Sequence, residues 1–263
     1  MSPPIAILHA PGTNRDRDAA IAFALAGGRP EIVHINQLLA GERRLNAYAL
    51  LVLPGGFSYG DDLGAGQLWA VRLLHDLGDA LRDFAAAGKP ILGICNGFQV
   101  LVKTGLLPGP LGAEPGPIPA DGRLVTLTRN ASARFECRWV WLEPNRANPS
   151  PWLAGLERMY CPVAHGEGNF RARDEATLAA LQARQLVAFT YVDAAGRPGP
   201  YPVNPNGSVA DIAGITNVAG NILGLMPHPE DHIFPWQHPA AAREEHGHDG
   251  LRLFRNGVAL AKG

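Results

Sequence analysis

The chain has 263 residues, of which 46% are hydrophobic and 18% charged, so it can bury a large core and is not disordered as a whole. Its 23 basic and 24 acidic side chains nearly cancel, which argues against a protein that binds nucleic acid or a membrane surface through charge. No apolar run approaches the roughly 20 residues of a membrane-spanning helix, and no secretory signal is recognisable. These features predict a cytoplasmic protein whose three sparse cysteines are thiols rather than disulfides.

The first half of the chain alternates short apolar runs with amphipathic stretches, a pattern that is typical of strand–helix units in a parallel sheet. The predicted strands cover residues 5–8, 32–35, 50–53 and 91–94, and the helices that follow them cover 16–26, 37–45, 68–84 and 98–102.

The second half is richer in strands. Proline and glycine first mark a surface loop at 107–122. Further strands are predicted at 124–127, 139–142, 186–191, 212–217 and 222–226, with a helix at 174–183 and a closing helix at 246–260. A hairpin loop at 217–221 joins the last two strands. We expect a single domain over residues 1–263, of the α/β class, with a mainly parallel sheet flanked by helices and a β-rich C-terminal return.

The sequence GICNG at 93–97 lies between a predicted strand and a helix, and it places a cysteine where many hydrolases have a nucleophilic serine. Glycines on both sides of such a turn allow the backbones to approach, and the turn lifts the side chain above the carboxyl edge of the sheet, where α/β proteins form their sites. The N-terminus of the following helix favours the thiolate form of Cys95. Taken alone, a buried structural cysteine explains this motif equally well.

A histidine and a glutamate follow the last predicted strand, in the sequence MPHPE at 226–230. Pro229 favours an extended conformation at His228, and residues two apart in an extended chain face the same way, so the imidazole and the Glu230 carboxylate share one side. Such a pair suits a catalytic base and the carboxylate that orients it. In a chain without a candidate nucleophile, a strand-ending turn with a solvated carboxylate would be the simpler explanation.

Two consecutive glycines, Gly55 and Gly56, follow the third predicted strand. We expect the backbone N–H groups of Gly56 and Asn96 to form an oxyanion hole at the same edge of the sheet. A plain tight turn is the commonest use of such a glycine pair, so this prediction depends on the role of Cys95.

Other motifs in the sequence give weaker evidence of a functional site. The sequence GAGQLW, which ends at Trp69, begins like a dinucleotide-binding fingerprint but lacks the third glycine. The histidines near the C-terminus do not have metal-ligand spacing. Asp61 and Asp62 are expected in a solvated turn or cap rather than as an acid–base pair, and Cys137 and Cys161 in packing roles.

The chain resembles the class I, or triad-type, glutamine amidotransferases, and among them the glutaminase subunits of phosphoribosylformylglycinamidine synthase. Five segments carry the resemblance: PGGFSYGD at 54–61, GICNGFQ at 93–99, PVAHGEG at 162–168, NPNGS at 204–208 and PHPE at 227–230. The similarity extends from about residue 5 to residue 255. It implies the flavodoxin-like sheet of the class I glutaminases.

The resemblance also implies an activity. A triad of Cys95, His228 and Glu230 would hydrolyse the side-chain amide of glutamine through a glutamyl thioester, and the ammonia would pass to an ATP-dependent synthase subunit in de novo purine synthesis. The expected partners are that synthase and a small third subunit. No cofactor is expected in this chain, since ATP and magnesium belong to the synthase. The strand predicted from residue 5 favours a free-standing subunit over the C-terminal domain of a larger enzyme.

The resemblance also suggests substrate contacts. Gln99, His165 and Gly166 match family positions that touch glutamine, although a helix-surface glutamine and an ordinary turn would explain the same residues. Asp231 stands where the family usually has arginine, so the contacts of that arginine do not transfer to this chain.

Two other functions remain open at the level of the sequence. A cysteine-elbow hydrolase or deglycase of similar fold would act without a synthase, but such proteins generally lack a His-Pro-Glu return. A catalytically silent binding subunit would only shape a complex, an alternative that the complete set of triad residues disfavours.

Overall fold

A computed structural model describes residues 1–111, 123–243 and 250–263. The strands are β1 (Pro4–His9), β2 (Arg29–His34), β3 (Leu50–Leu53), β4 (Ile91–Ile94), β5 (Val125–Thr128), β6 (Glu136–Pro144), β7 (Met159–His165), β8 (Asn169–Ala172), β9 (Val187–Val192), β10 (Ile212–Thr216) and β11 (Ile222–Leu225). The helices are α1 (Asp16–Leu25), α2 (Ile35–Leu39), α3 (Gln67–Ala86), α4 (Asn96–Lys103), α5 (Glu175–Ala183) and α6 (Leu251–Leu260).

One sheet carries the groups of interest. Its nine strands lie in the order β2-β1-β3-β4-β11-β10-β9-β6-β7, while β5 and β8 form a separate two-stranded sheet. The five strands from β2 to β11 pair in parallel, and those from β11 to β7 pair in antiparallel fashion. The predicted α/β class with a β-rich C-terminal return is confirmed, and so is the hairpin that joins β10 to β11.

The centre of the parallel half is an unbroken apolar core. Every residue of β3 and β4 is buried, as expected for strands that helices cover on both faces. Around these strands α1 packs against α6 through an edge-to-face contact of Phe23 and Phe254, with ring centroids 5.0 Å apart, and α3 packs against α4. This packing fixes the carboxyl ends of β3 and β4, where both sequence motifs of the first half are found.

Two strands were not predicted. β7 and β8 lie in a stretch that contains Pro162 and several polar residues. A proline lacks the N–H that an interior strand needs, but β7 is at the edge of the sheet and pairs only with β6 within the described residues.

The remaining predictions differ from the structure at their ends. α2 is shorter than predicted and ends before Gly41, whose φ of 72° suits glycine. The closing helix begins at Leu251, and positions 246–249 of the prediction lie outside the described residues, as do positions 112–122 of the predicted loop. None of the described helices is long and apolar enough to cross a membrane.

Candidate active site

Cys95 lies on a sharp turn between β4 and α4. Its backbone has φ 50° and ψ −106°, a combination that residues with a side chain rarely adopt. The flanking glycines allow this turn to form. A Cβ at Gly97 would collide with the carbonyl oxygen of Leu53 at the end of β3, and a Cβ at Gly93 would lie 2.8 Å from the backbone of Gly97. The prediction that small neighbours permit a close approach of backbones here is confirmed.

The last strand of the sheet brings the second motif to this turn. β11 pairs in parallel with β4, with Leu225 opposite Ile94, and the N–H of Cys95 donates to the oxygen of Leu225 at 2.8 Å. Both strands therefore end at the same edge of the sheet. His228 follows three residues after Leu225, and the charge of Cys95 acts on its imidazole.

His228 and Glu230 form a buried pair, with Nδ1 of the imidazole 2.7 Å from Oε1 of the carboxylate. The side chains are 3% and 0% exposed. Burial lowers the pKa of His228, but the charges of Glu230 and Cys95 and the hydrogen bond to Glu230 raise it by more, so this pKa lies well above its ordinary value. The carboxylate also holds a proton on Nδ1 and leaves Nε2 for the sulfur. Gly55 makes room for the ring, since a Cβ there would lie 2.7 Å from Cε1.

The edge strand β7 closes another side of the site. The carbonyl oxygen of Pro162 accepts the N–H of His228 at 2.8 Å, and the carbonyl oxygen of Ala164 lies 3.7 Å from the sulfur of Cys95. An edge strand has unpaired carbonyl groups on its outer side. β7 uses two of them to hold the histidine and the cysteine of the site.

Gly56 and Asn96 lie at the carboxyl ends of β3 and β4, which are neighbours in the sheet. Gly56 and Thr13 face each other in an isolated antiparallel bridge, as a pair that does not exchange hydrogen bonds. The N–H of Gly56 therefore points away from Thr13. Asn96 is the first residue of α4, where backbone N–H groups have no partner within the helix. The use of these two N–H groups as an oxyanion hole stays a prediction.

Gln99 is 3% exposed, and its side chain connects α4 to the loop after β7. Its Nε2 donates to the carbonyl oxygen of Glu167 at 2.7 Å, and its Oε1 accepts from Nδ2 of Asn96 at 3.0 Å. Nδ2 of Asn96 also donates to the carboxylate of Asp61 at 3.1 Å. Gln99 therefore fixes the loop after β7 relative to α4. These two bonds use only one of the two N–H groups on its Nε2. Contact of Gln99 with a substrate stays a prediction.

Asp62 is exposed in a turn, as expected, whereas Asp61 is only partly exposed, so the expectation of a solvated side chain is wrong for Asp61. Burial raises the pKa of Asp61, and the nearby Glu167 carboxylate adds to this rise, while hydrogen bonds from Gly66 and Asn96 oppose it. Oε2 of Glu167 accepts the N–H of Ala65 at 3.1 Å. The Glu167 carboxylate, in the loop after β7, thus lies close to the Asp61 carboxylate, in the segment between β3 and α3.

His165 and Gly166 adjoin Ala164, the residue that contacts the sulfur of Cys95. His165 is 3% exposed, and burial together with the charge of His228 lowers its pKa to about 3, so its ring is neutral near pH 7. The carbonyl oxygen of Gly166 accepts the N–H of Asn130 at 2.9 Å. Contact of either residue with glutamine stays a prediction.

Arg15 is a residue of this region that the sequence analysis missed. It lies at the start of α1, and its Nη1 is 3.3 Å from Asp231 and 3.2 Å from Asp18. The charge of Glu230 also acts on this guanidinium. Because 216 positions separate Arg15 from Asp231, no local pattern pointed to their pairing.

The other two cysteines differ in their exposure to solvent. Cys161 is buried in β7, as its predicted packing role requires, whereas Cys137 is exposed on β6, so a packing role for Cys137 is wrong. Across residues 1–111, 123–243 and 250–263, no three His, Cys, Asp or Glu side chains are grouped as a metal site would require.

Comparison with known protein families identifies the family of this chain. The sequence profile of the CobB/CobQ-like glutamine amidotransferase domain matches residues 2–260. The chain belongs to this family. The sequence motifs likewise resemble those of glutamine amidotransferases, so the family profile and the motifs agree.

Individual relatives that match over nearly their whole length are more specific than the family profile. The amidotransferase chain is 46% identical to phosphoribosylformylglycinamidine synthase subunit PurQ of Treponema denticola, over 98% of both chains. It is also 46% identical to the protein of that name from Dehalococcoides mccartyi, over 97% of this chain and 96% of the relative. Among solved structures, a chain of PurLQS from Thermotoga maritima is similar with a TM-score of 0.73 and 31% identity, covering 98% of this chain and 99% of that one.

Proposed function

We propose that this amidotransferase is the glutaminase subunit of a phosphoribosylformylglycinamidine synthase and releases ammonia from glutamine for that enzyme. The observation that carries the proposal is the placement of Cys95 on its strained turn beside the buried pair of His228 and Glu230. The names of the two relatives at 46% identity support the choice of synthase.

Cys95 is the nucleophile of the first step. The raised pKa of His228 favours a protonated imidazole next to the sulfur, and hence a thiolate–imidazolium pair. The thiolate attacks the carboxamide carbon of the glutamine side chain, while the N–H groups of Gly56 and Asn96 hold the negative oxygen that forms. When the C–N bond breaks, His228 gives its proton to the leaving nitrogen and ammonia departs.

The second step releases glutamate. Water attacks the carbonyl carbon of the glutamyl thioester, and the neutral His228 accepts its proton. The C–S bond then breaks and returns the sulfur of Cys95 as a thiolate. Glu230 orients the imidazole and stabilises its charged form in both steps.

The ammonia needs an enzyme that consumes it. We infer that a synthase subunit, which binds ATP and magnesium, receives the ammonia, and that a small third subunit completes the complex in the cytoplasm. No cofactor is assigned to this chain. The similarity to a chain of the Thermotoga PurLQS structure supports a multi-subunit assembly.

The test compares glutamine with ammonium as the nitrogen donor for amidine formation by the assembled complex. Cys95→Ala should abolish the glutamine-dependent rate and leave the ammonium-dependent rate unchanged, because the thiol is needed only to release ammonia. Cys137→Ala is the matched control, since it removes an exposed cysteine of β6, and it should keep both rates. Survival of the glutamine-dependent rate in Cys95→Ala would contradict the proposal.

A second measurement separates the proposal from a hydrolase or deglycase of similar fold. Glutamine-analogue electrophiles should label Cys95 in the complex, and peptide mass spectrometry identifies the labelled residue. If Cys95 stays unlabelled even with partners added, the hydrolase is favoured.

A further inference from the structure

Arg15 has no task in the chemistry described so far, although it lies beside the triad. It immediately precedes α1, and its backbone N–H donates to the carbonyl oxygen of Gly55 at 3.2 Å. The N–H of Phe57 donates in the other direction, to the carbonyl oxygen of Gly12 at 3.0 Å. The connection between β1 and α1 is therefore bonded to the loop after β3, and these bonds fix the backbone of Arg15 next to that loop.

The side chain of Arg15 extends from there past the histidine of the triad. A Cβ at Gly55 would lie 2.7 Å from Cε1 of His228 and 3.3 Å from Cγ of Arg15. The imidazole and the hydrocarbon stem of the arginine therefore both lie against this glycine. The guanidinium group then reaches the turn at 229–232, which contains Glu230.

One nitrogen of the guanidinium group joins this turn to α1. Nη1 of Arg15 lies 3.3 Å from Oδ1 of Asp231 and 3.2 Å from Oδ2 of Asp18, and the charge of Glu230 also acts on the guanidinium. The side chain of Asp231 is only 19% exposed. Water consequently screens its ion pair with Arg15 less than it screens a pair on the open surface.

The turn at 229–232 is thus held on two sides. Towards β7, Nδ1 of His232 donates to the carbonyl oxygen of Tyr160 at 2.6 Å. Towards α1, the ion pair of Asp231 with Arg15 makes the connection. Glu230 precedes both Asp231 and His232 in this turn, so the position of its carboxylate depends on both attachments.

We propose that Arg15 is a positioning residue of the triad, and that its ion pair with Asp231 holds the Glu230 carboxylate where His228 needs it. The inference rests on the proposed glutaminase function, in which His228 gives a proton in the first step and accepts one in the second. A displaced Glu230 would slow both proton transfers, whereas glutamine would still bind. The loss of the ion pair should therefore lower kcat and leave KM nearly unchanged.

The test uses the assembled complex, with glutamine or ammonium as the nitrogen donor. Arg15→Met keeps the hydrocarbon stem beside Gly55 and removes the charge. Its kcat with glutamine should fall about tenfold, the usual order for one lost hydrogen bond between charged groups, while the rate with ammonium stays unchanged. Asp18→Asn is the matched control, because it removes the other carboxylate bonded to Arg15 and keeps the pair with Asp231. It should keep the rate with glutamine.

An exchange of the two charges separates positioning from a general loss of structure. Asp231→Arg, which introduces the residue that the family usually has, places two guanidinium groups together and should lower kcat with glutamine. Adding Arg15→Asp to this variant restores a pair of opposite charges and should recover most of the rate.

Asp231→Asn keeps the test decisive if Arg15→Met does not fold. It removes a buried carboxylate beside Glu230, so the fold should gain stability, yet kcat with glutamine should fall because the ion pair is lost. A residue that served only the fold would not lower the rate while raising the stability.

The outcomes distinguish this inference from the proposed function. An unchanged kcat in Arg15→Met or Asp231→Asn would overturn the role of Arg15 even in a complex that uses glutamine, and so would a double variant no faster than Asp231→Arg alone. A wild-type complex that cannot use glutamine would refute the proposed function, and with it the inference that rests on that function.

Discussion

Asp231 is a carboxylate in an unfavourable position, directly beside the carboxylate of Glu230. Burial, and then the charge of Glu230, raises the pKa of Asp231 to about 6, although His228 and Arg15 act in the opposite direction. Arg15 lies 3.3 Å away and offsets part of the negative charge. Perturbed carboxylates are typical of functional sites, where some stability is given up for chemistry.

Asp231→Asn should therefore stabilise the protein at neutral pH. The pKa of this carboxyl is 3.8 in its ordinary state and about 6 in the folded protein, so ionisation is easier in the unfolded chain. The wild type consequently loses stability as pH rises from about 4 to about 6, by roughly 3 kcal/mol at most, and the variant is spared this loss. Urea unfolding should show a gain in the free energy of unfolding at about pH 7.5 and little gain below about pH 4.

The control for this prediction is Asp18→Asn. Asp18 is the other carboxylate bonded to Arg15, but its side chain is 37% exposed on α1. It should give no gain that grows with pH. Equal pH profiles for the two variants would show that burial beside Glu230 is not the cause.

The site residues that could be predicted from the sequence are those whose partners are local. Cys95 has its glycines as neighbours, and His228 and Glu230 are two positions apart, so short patterns were sufficient to choose all three. Arg15 and Glu167 were not predictable, because they lie 216 and 102 positions from the residues that they contact. Such pairs become visible only when the sheet has brought distant loops together.

At the scale of elements, the turn that carries Cys95 depends on how closely α4 approaches the end of β3. Gly97 is in the first turn of α4, and a Cβ there would run into the carbonyl group of Leu53. Gly78, in the middle of α3, is also helical, but its Cβ would meet only the end of the Arg82 side chain at 3.3 Å. A flexible side chain can move aside, whereas the backbone of a central strand cannot.

Gly97→Ala should destabilise the protein by roughly 1–3 kcal/mol or more, because α4 must move away from β3. The same shift should slow the labelling of Cys95 by a glutamine-analogue electrophile. Gly78→Ala should be neutral or stabilising by up to about 1 kcal/mol, since alanine is the better helix former. Thermal unfolding and labelling rates measure both variants, and equal stabilities would show that the close approach of α4 is not required.

β7 shows why part of the fold could not be predicted. The strand–helix units of the first half are local, so their positions followed from apolar periodicity to within a few residues. β7 contains Pro162, and a proline normally argues against a strand. It is tolerated because the outer side of β7 faces His228, whose N–H the Pro162 carbonyl accepts. Only the order of the whole sheet decides that β7 is an edge strand.

At the scale of the molecule, the site unites the two halves of the chain because the last strand is inserted into the middle of the sheet. β11 lies between β4 and β10, and every residue of β4 and β11 is buried. Cys95 follows β4 directly, and His228 follows β11 after two residues. To separate them, the centre of the sheet would have to open, so we expect the site and the core to unfold in a single step.

The three cysteines allow this cooperativity to be measured in one protein. Cys137 is exposed, Cys161 is wholly buried in β7, and Cys95 should react with a glutamine-analogue electrophile only while the site is intact. With increasing urea, thiol labelling of Cys161 should begin at the concentration at which specific labelling of Cys95 is lost, whereas Cys137 should react throughout. Peptide mass spectrometry follows each cysteine separately. If Cys95 lost its labelling while Cys161 was still protected, the site would open within a folded sheet, and the central position of β11 would not be what keeps His228 beside the sulfur.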